Sequence, residues 1–224
     1  MALSETTCNV DVLDPACILL RGLLSPPSQA SLFSFIEHND RTPWSDLPRP
    51  MVPSPKTLLF GDDLQPVLRY KVGEESLIGE ESLVSEMVRL ASEIVIQNSR
   101  STSSTLGDQL SAKMCKSLSM AAIRYEAPDG RFPPHVDHCA DSLVFLTSIG
   151  CTARFMVKGP SMAEKLTFDF RSGDLLVFDA STEANILHGV TGVEEGSCPV
   201  SLEGFSVLRW HRYGVQVRLT FESP

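Results

Sequence analysis

From about Leu118 onward the chain abandons helical periodicity for a series of short apolar runs, each closed by a turn, and this punctuation limits the fold more than any other feature. The runs are 119–125, 143–149, 154–158, 166–170, 175–178, 186–190 and 213–221. Ala127-Pro128-Asp129-Gly130, Gly150 and Gly159-Pro160 interrupt them, and Arg171-Ser172-Gly173-Asp174 carries a hairpin signal between its flanking strands. Strands this short and evenly spaced bury their apolar faces by closing into a barrel or a double sheet. An α+β fold is therefore expected: a double-stranded β-helix (jelly-roll) core with N-terminal helices packed on the outside.

Ahead of that core the pattern is mixed. Met1 to Asp14 is largely polar, and 1–15 reads as a mobile tail. A strand-like run follows at Cys17-Ile18-Leu19-Leu20. Ser25-Pro26-Pro27 then starts a helix, with serine as N-cap and proline in the first turn, and Leu32, Phe35 and Ile36 mark its apolar face. Pro43, Pro48, Pro50, Pro53 and Pro55 break up the stretch 41–62, which includes Trp44 and reads either as a lid or as a surface loop with one packed aromatic. A second helix over 80–97 shows Leu83, Met87, Leu90, Ala91 and Ile94 on one face, and the polar run 98–105 reads as a flexible link with nothing to bury.

The length of 224 residues suffices for one domain with a full core. That domain is expected over 16–224, with 16–117 as an N-terminal extension of helices and a lid-like segment and 118–224 as the jelly-roll core. The net charge of −9 argues against a broad electrostatic grip on nucleic acid, although a local basic patch is compatible with it. Six cysteines without C-x-x-C spacing read as reduced thiols of an intracellular protein, nuclear or cytoplasmic. No apolar run approaches the length of a membrane span, and a monomer is expected.

Chemistry enters at Pro133-Pro134-His135-Val136-Asp137, where a histidine and a carboxylate one residue apart can face one side of an extended strand. Alone, this tripeptide reads as a solvated loop far more readily than as a metal site. His188, inside the apolar run 186–190, reads alone as a core histidine. Its separation from His135 accommodates about four strands, enough for a later strand to return beside an earlier one. Two imidazoles and one carboxylate with the remaining positions open describe the 2-His-1-carboxylate site of non-haem Fe(II) oxygenases. Structural zinc is less natural, because such sites close with four ligands and favour cysteine. Near the C-terminus, Arg212 and Arg218 stand an even number of residues apart and so share one face of a strand. Their guanidinium forks suit a dicarboxylate, whereas solvated surface arginines are the plainer reading.

Together these residues resemble the AlkB-type Fe(II)/2-oxoglutarate-dependent dioxygenases over roughly residues 16 to 218. The resemblance rests on Arg124-Tyr125 ahead of His135-x-Asp137, on Ser172-Gly173-Asp174-Leu175-Leu176-Val177 leading to His188-Gly189-Val190, and on Arg212-Tyr213 closing with Arg218. Phe60-Gly61-Asp62 is similar to the aromatic-Gly-Asp element of the family's substrate-covering segment. It implies Fe(II) held by His135, Asp137 and His188, with 2-oxoglutarate and O2 as co-substrates. Arg212 would bind the distal carboxylate of 2-oxoglutarate with help from the Tyr125 hydroxyl, and Arg218 would lie near the metal-chelating end.

Several positions depart from the family pattern. Ile123 stands where the family often has an asparagine, Gly214 replaces a polar residue between the arginines, and Cys139 holds the place of a second carboxylate, with Asp141 two residues on. An insertion, 194–209, precedes Arg212; the alternative register would align Arg218-Leu219-Thr220-Phe221 with the family's closing Asn-Leu-Thr-Phe, and the first is preferred because it keeps both arginines. The resemblance implies oxidative demethylation of an N-alkylated base in methylated DNA or RNA. Trp44 or Phe60 would then be a stacking residue, with a core role for either as the alternative, and Asp141 a substrate contact. The alternatives are the same chemistry on a protein side chain or small molecule, and a catalytically silent binding module.

Overall fold

Alternation along the last long strand, His211–Phe221, sets the two layers of the fold. Tyr213, Val215, Val217 and Leu219 point one way into an apolar core shared with the helices, while Arg212, Gly214, Gln216 and Arg218 occupy the other face. A computed structural model describes residues 8–37, 45–46, 56–60, 83–100 and 104–222. In chain order the elements are β1 (Asn9–Asp14), β2 (Cys17–Arg21), α1 (Pro26–Glu37), β3 (Ser45–Asp46), β4 (Lys56–Phe60), α2 (Leu83–Ser99) and α3 (Leu106–Ala112). There follow β5 (Cys115–Glu126), β6 (Phe132–His135), β7 (Ser142–Gly150), β8 (Ala153–Lys158), β9 (Leu166–Phe170), β10 (Leu175–Asp179), β11 (Leu187–Val193) and β12 (His211–Phe221).

The strands form an eight-stranded sheet, β1-β2-β10-β7-β12-β5-β4-β3, and a four-stranded sheet, β6-β11-β8-β9, with antiparallel pairing throughout. The expected jelly-roll core with helices outside is what the chain adopts. Helices α1, α2 and α3 cover the outer face of the large sheet, and a second core, including Leu19, Tyr125, Val144, Phe178 and, from the small sheet, Phe155 and Phe170, fills the space between the sheets. No helix among the described residues is long and apolar enough to cross a membrane.

Several local expectations change. Asn9–Asp14, placed in a mobile tail, forms edge strand β1 against β2, and Asp14 accepts the Ala16 and Ser161 N–H groups. The alternation in Asn9-Val10-Asp11-Val12 was the overlooked signal. Ser25 does cap α1, its Oγ accepting the Ser28 N–H at 3.3 Å, but the buried aromatic is Phe33 and Phe35 is exposed. On α2 the buried face is rotated toward Val88 and Val95. Asn98 and Ser99, expected in the flexible link, extend that helix by donating to the carbonyls of Ile94 and Val95. Residue 117, the expected end of the N-terminal extension, lies within β5. The insertion 194–209 contains two short 3-10 helices, Val200–Leu202 and Ser206–Arg209, anchored by buried Leu202 and Leu208. Of the proposed lid, β3 and β4 are described; Trp44, Gly61 and Asp62 lie outside the described residues.

The largest correction concerns 171–174. β9 belongs to the small sheet and β10 to the large one, so this turn is a crossover between layers and not a hairpin. Burial explains the choice: β10 is buried almost throughout and takes a central place between β2 and β7, while β9 is half exposed and takes an edge. Asp174, 3% exposed, fastens the crossover. Its Oδ1 accepts the Gly22 N–H at 2.8 Å, and its Oδ2 accepts the Arg171 N–H and an Arg21 Nη1 donor, both at 3.0 Å. Replacing Asp174 with alanine strands these donors and is expected to remove about 3 kcal/mol of stability. Urea unfolding should then show a lower midpoint at an unchanged m-value.

Candidate metal centre

His135 and His188 are brought together by strand pairing. His135 ends β6, His188 is the second residue of β11, and the two are directly opposite in the antiparallel register, which places both imidazoles on one face. The ring centroids are 4.5 Å apart. Asp137 lies two residues beyond the end of β6, in the segment that follows the strand, and its carboxylate meets both imidazoles. Its Oδ1 is 3.3 Å from His135 Nε2 and 3.8 Å from His188 Nε2.

Proline and glycine make this approach possible. Pro133 and Pro134 cannot donate to a ladder and are tolerated because β6 is an edge strand. Gly189 faces them across a bulge; a Cβ there would lie 2.8 Å from the Phe132 carbonyl oxygen and 2.9 Å from the Pro134 nitrogen. His188 is buried against Phe178 and Phe155, and His135 packs on Phe132.

Hydrogen bonding fixes which nitrogen faces inward. His135 Nδ1 is 2.9 Å from the Pro133 carbonyl oxygen and His188 Nδ1 is 3.1 Å from that of Ile186. A carbonyl oxygen only accepts, so both Nδ1 atoms carry the proton and both Nε2 atoms present lone pairs. Burial, with His135 nearby, pulls the His188 imidazole down to about 4, which keeps it neutral. Burial raises the Asp137 carboxyl, but in the acid range where it titrates a hydrogen bond with the His135 ring, the positive charge His188 then carries and that of Arg218 outweigh it and hold it at about 2. Arg218 Nη2 donates to Asp137 Oδ2 at 2.8 Å, leaving Oδ1 toward the imidazoles. Three electron-rich atoms thus converge within 4.8 Å of one another, an arrangement that a cation between them relieves.

The imidazoles open onto a cavity between the sheets, lined also by Tyr125, Arg212, Gly214, Gln216 and the apolar walls Ile123, Leu146, Phe155 and Val190. Arg212 is 1% exposed. It stacks over Tyr125 and Phe170 with its guanidinium carbon 5.0 and 5.5 Å from their ring centroids, and its Nε donates to Ser148 Oγ at 3.0 Å. Its Nη2 is buried and has no hydrogen-bond partner among the described residues, and the same holds for Arg218 Nε. Burial lowers the Arg212 pKa and the neighbouring Tyr125 opposes that shift. A buried, stacked guanidinium with an unused donor is suited to a carboxylate that the protein itself does not supply.

No protein-family model matches the chain, and no curated protein matches it. Solved structures do. OsALKBH1 superposes with a TM-score of 0.67 at 18% identity, over 93% of this chain and 100% of that one. The chain has the fold of the 2OG-Fe(II) oxygenases. A prolyl-4-hydroxylase from Pseudomonas putida matches with a TM-score of 0.53 at 8% identity, over 92% of this chain and 93% of that one. A 2OG-Fe(II) oxygenase-family oxidoreductase from Burkholderia pseudomallei matches with 0.51 at 11% identity, over 98% and 95%.

Within this oxygenase fold, the sequence-derived residues divide. His135, Asp137 and His188 converge; Tyr125 and Arg212 stand together in the cavity, while Arg218 turns to Asp137. Asp141 instead pairs with Lys113 Nζ at 2.9 Å and does not line the cavity. Phe60 closes β4 opposite Met120, and its side chain lies outside the described residues. Sequence reasoning missed Ser148 and Gln216, and named Gly189 only as part of the run His188-Gly189-Val190. Gln216 shares the even-numbered register of Arg212 and Arg218, a signal that was readable in the sequence.

Gly189→Ala replaces no ligand yet should push β6 off β11. Anaerobic Co(II) titration is expected to show at least about tenfold weaker binding in this variant. Wild-type affinity would show that the close approach of the strands is unnecessary.

Proposed function

We propose that this chain is an Fe(II)/2-oxoglutarate-dependent dioxygenase that oxidatively demethylates N-alkylated bases of DNA or RNA. The observation that carries the chemistry is the convergence of His135, Asp137 and His188 beside a cavity that both histidines line together with buried Arg212, whose Nη2 donor is unused. His135 and His188 would bind Fe(II) through Nε2 and Asp137 through Oδ1, with the other coordination positions left to co-substrates. Arg212 and Tyr125 would take the distal carboxylate of 2-oxoglutarate. Arg218 would hold Asp137 in its ligating orientation from beside the metal-chelating end. With O2, the bound metal and 2-oxoglutarate supply oxidation of a substrate C–H bond, releasing succinate and CO2. The apolar walls Ile123, Leu146, Phe155 and Val190 would exclude water around that chemistry. A hydroxylated N-methyl group breaks down to formaldehyde and the free amine.

The AlkB-type residue pattern, from Arg124-Tyr125 through His135-x-Asp137 to Arg218, supports a nucleic-acid substrate. The net charge of −9 favours the second reading, the same oxidation on a protein side chain or small molecule. Incubation with Fe(II), 2-oxoglutarate and methylated single-stranded DNA or RNA should release formaldehyde and succinate in equal amounts. Arg212→Met should weaken 2-oxoglutarate binding on the order of a hundredfold. Succinate formation without formaldehyde from any oligonucleotide would transfer the assignment to the second reading. The absence of succinate with every substrate class would remove the dioxygenase.

A further inference from the structure

The cavity face of β12 presents four positions in succession, and strand register gives each its neighbours. Arg212 lies between Tyr125 and Gly150, Gly214 between Ile123 and Ser148, Gln216 between Ala121 and Leu146, and Arg218 between Ser119 and Val144. Paired residues in an antiparallel sheet project from the same face.

Three of the four have a structural account. Arg212 is stacked and held by Ser148. Gly214 leaves space for it, since a Cβ there would lie 2.8 Å from Arg212 Nη1, so the guanidinium rests over the Gly214 backbone. Arg218 reaches Asp137. Gln216 remains. Its side chain lines the cavity between Ala121 and Leu146, neither of which has a hydrogen-bonding side-chain atom. It makes no hydrogen bond among the described residues. A carboxamide between two apolar neighbours, facing a cavity, has a ligand as its available partner.

Its place along the strand identifies which part of the ligand it meets. The Arg212 head over Gly214 marks one end of a track, and Arg218 on Asp137 marks the metal end. A strand rises about 3.4 Å per residue, so Gln216 sits about 7 Å beyond Gly214, roughly the span of a five-carbon dicarboxylate. We propose that Gln216 binds the 2-oxoacid end of 2-oxoglutarate, its Nε2–H donating to the C1 carboxylate while Arg212 takes the C5 carboxylate. Ile123 and Gly214, its nearest neighbours along the track, have no side-chain donor, and Arg218, engaged with Asp137, does not line the cavity, so Gln216 is the amide donor that faces this end. The assignment rests on the 2-oxoglutarate reading above and adds a binding residue to it.

Calorimetric titration of 2-oxoglutarate into the Mn(II)-loaded full chain, without O2, tests this directly. Gln216→Leu should raise Kd about tenfold. Gln216→Glu, nearly isosteric but anionic, should raise it further by repelling the carboxylate. Mn(II) affinity and Tm should match wild type in both. Wild-type Kd in both variants overturns the role of Gln216 while leaving the 2-oxoglutarate reading intact. Parallel losses of Mn(II) affinity or Tm assign Gln216 to the fold and also overturn it. Failure of the wild-type chain to bind 2-oxoglutarate overturns both.

Discussion

Two imidazole lone pairs and a carboxylate oxygen facing one point repel one another, and the surrounding structure is organised to hold them there. Carbonyl oxygens of Pro133 and Ile186 fix the tautomers from behind. Arg218 fixes the carboxylate from the side, and Phe178 and Phe155 confine His188. Each restraint comes from a different part of the chain, so the arrangement exists only when the sheets are closed.

Strand β12 connects that site to the stability of the whole. Its outward residues Tyr213, Val215, Val217 and Leu219 contribute to the core beneath the helices, and its inward residues present charge and amide to the cavity. Burying Arg212 without a carboxylate partner costs several kcal/mol, partly offset by stacking on Tyr125 and Phe170 and by the bond to Ser148. The large apolar face on the other side of the same strand supports that expense. The insertion between β11 and β12 keeps the register because Leu202 and Leu208 bury it against the core, and Arg212 still meets Tyr125.

Much of the fold was legible because burial writes its period into the residues. Strand β5 and the strands from β7 to β12 were readable as short apolar runs, and α1 and α2 from their stripes. Elements whose signals depend on distant partners were harder. β1 is an edge strand with only a short alternation, and α3 buries just Leu106, Gly107 and Leu110. The turn 171–174 has hairpin residues, yet the burial demanded by β10 sends the chain to the other sheet. In the candidate site, residue type and spacing singled out His135, Asp137, His188 and Arg212, and the family resemblance added Tyr125. Asp141 could not be judged that way, since Lys113, remote in sequence, takes its carboxylate.

By itself the sequence determined the residue types of the candidate site and the alternation that puts Arg212, Gln216 and Arg218 on one strand face, because side-chain direction along a strand is a local property. Tertiary structure alone decided that His188 stands opposite His135, that Arg218 serves Asp137, and that Gln216 lies between Ala121 and Leu146 facing a cavity. These depend on strand pairing across long stretches of chain, where a slip of one residue would reverse every side chain. The H-x-D pair illustrates the division. Its two ligating residues are fixed by sequence, but the pairing of β6 with β11 brings His188 to them, and Arg218 holds the carboxylate from β12.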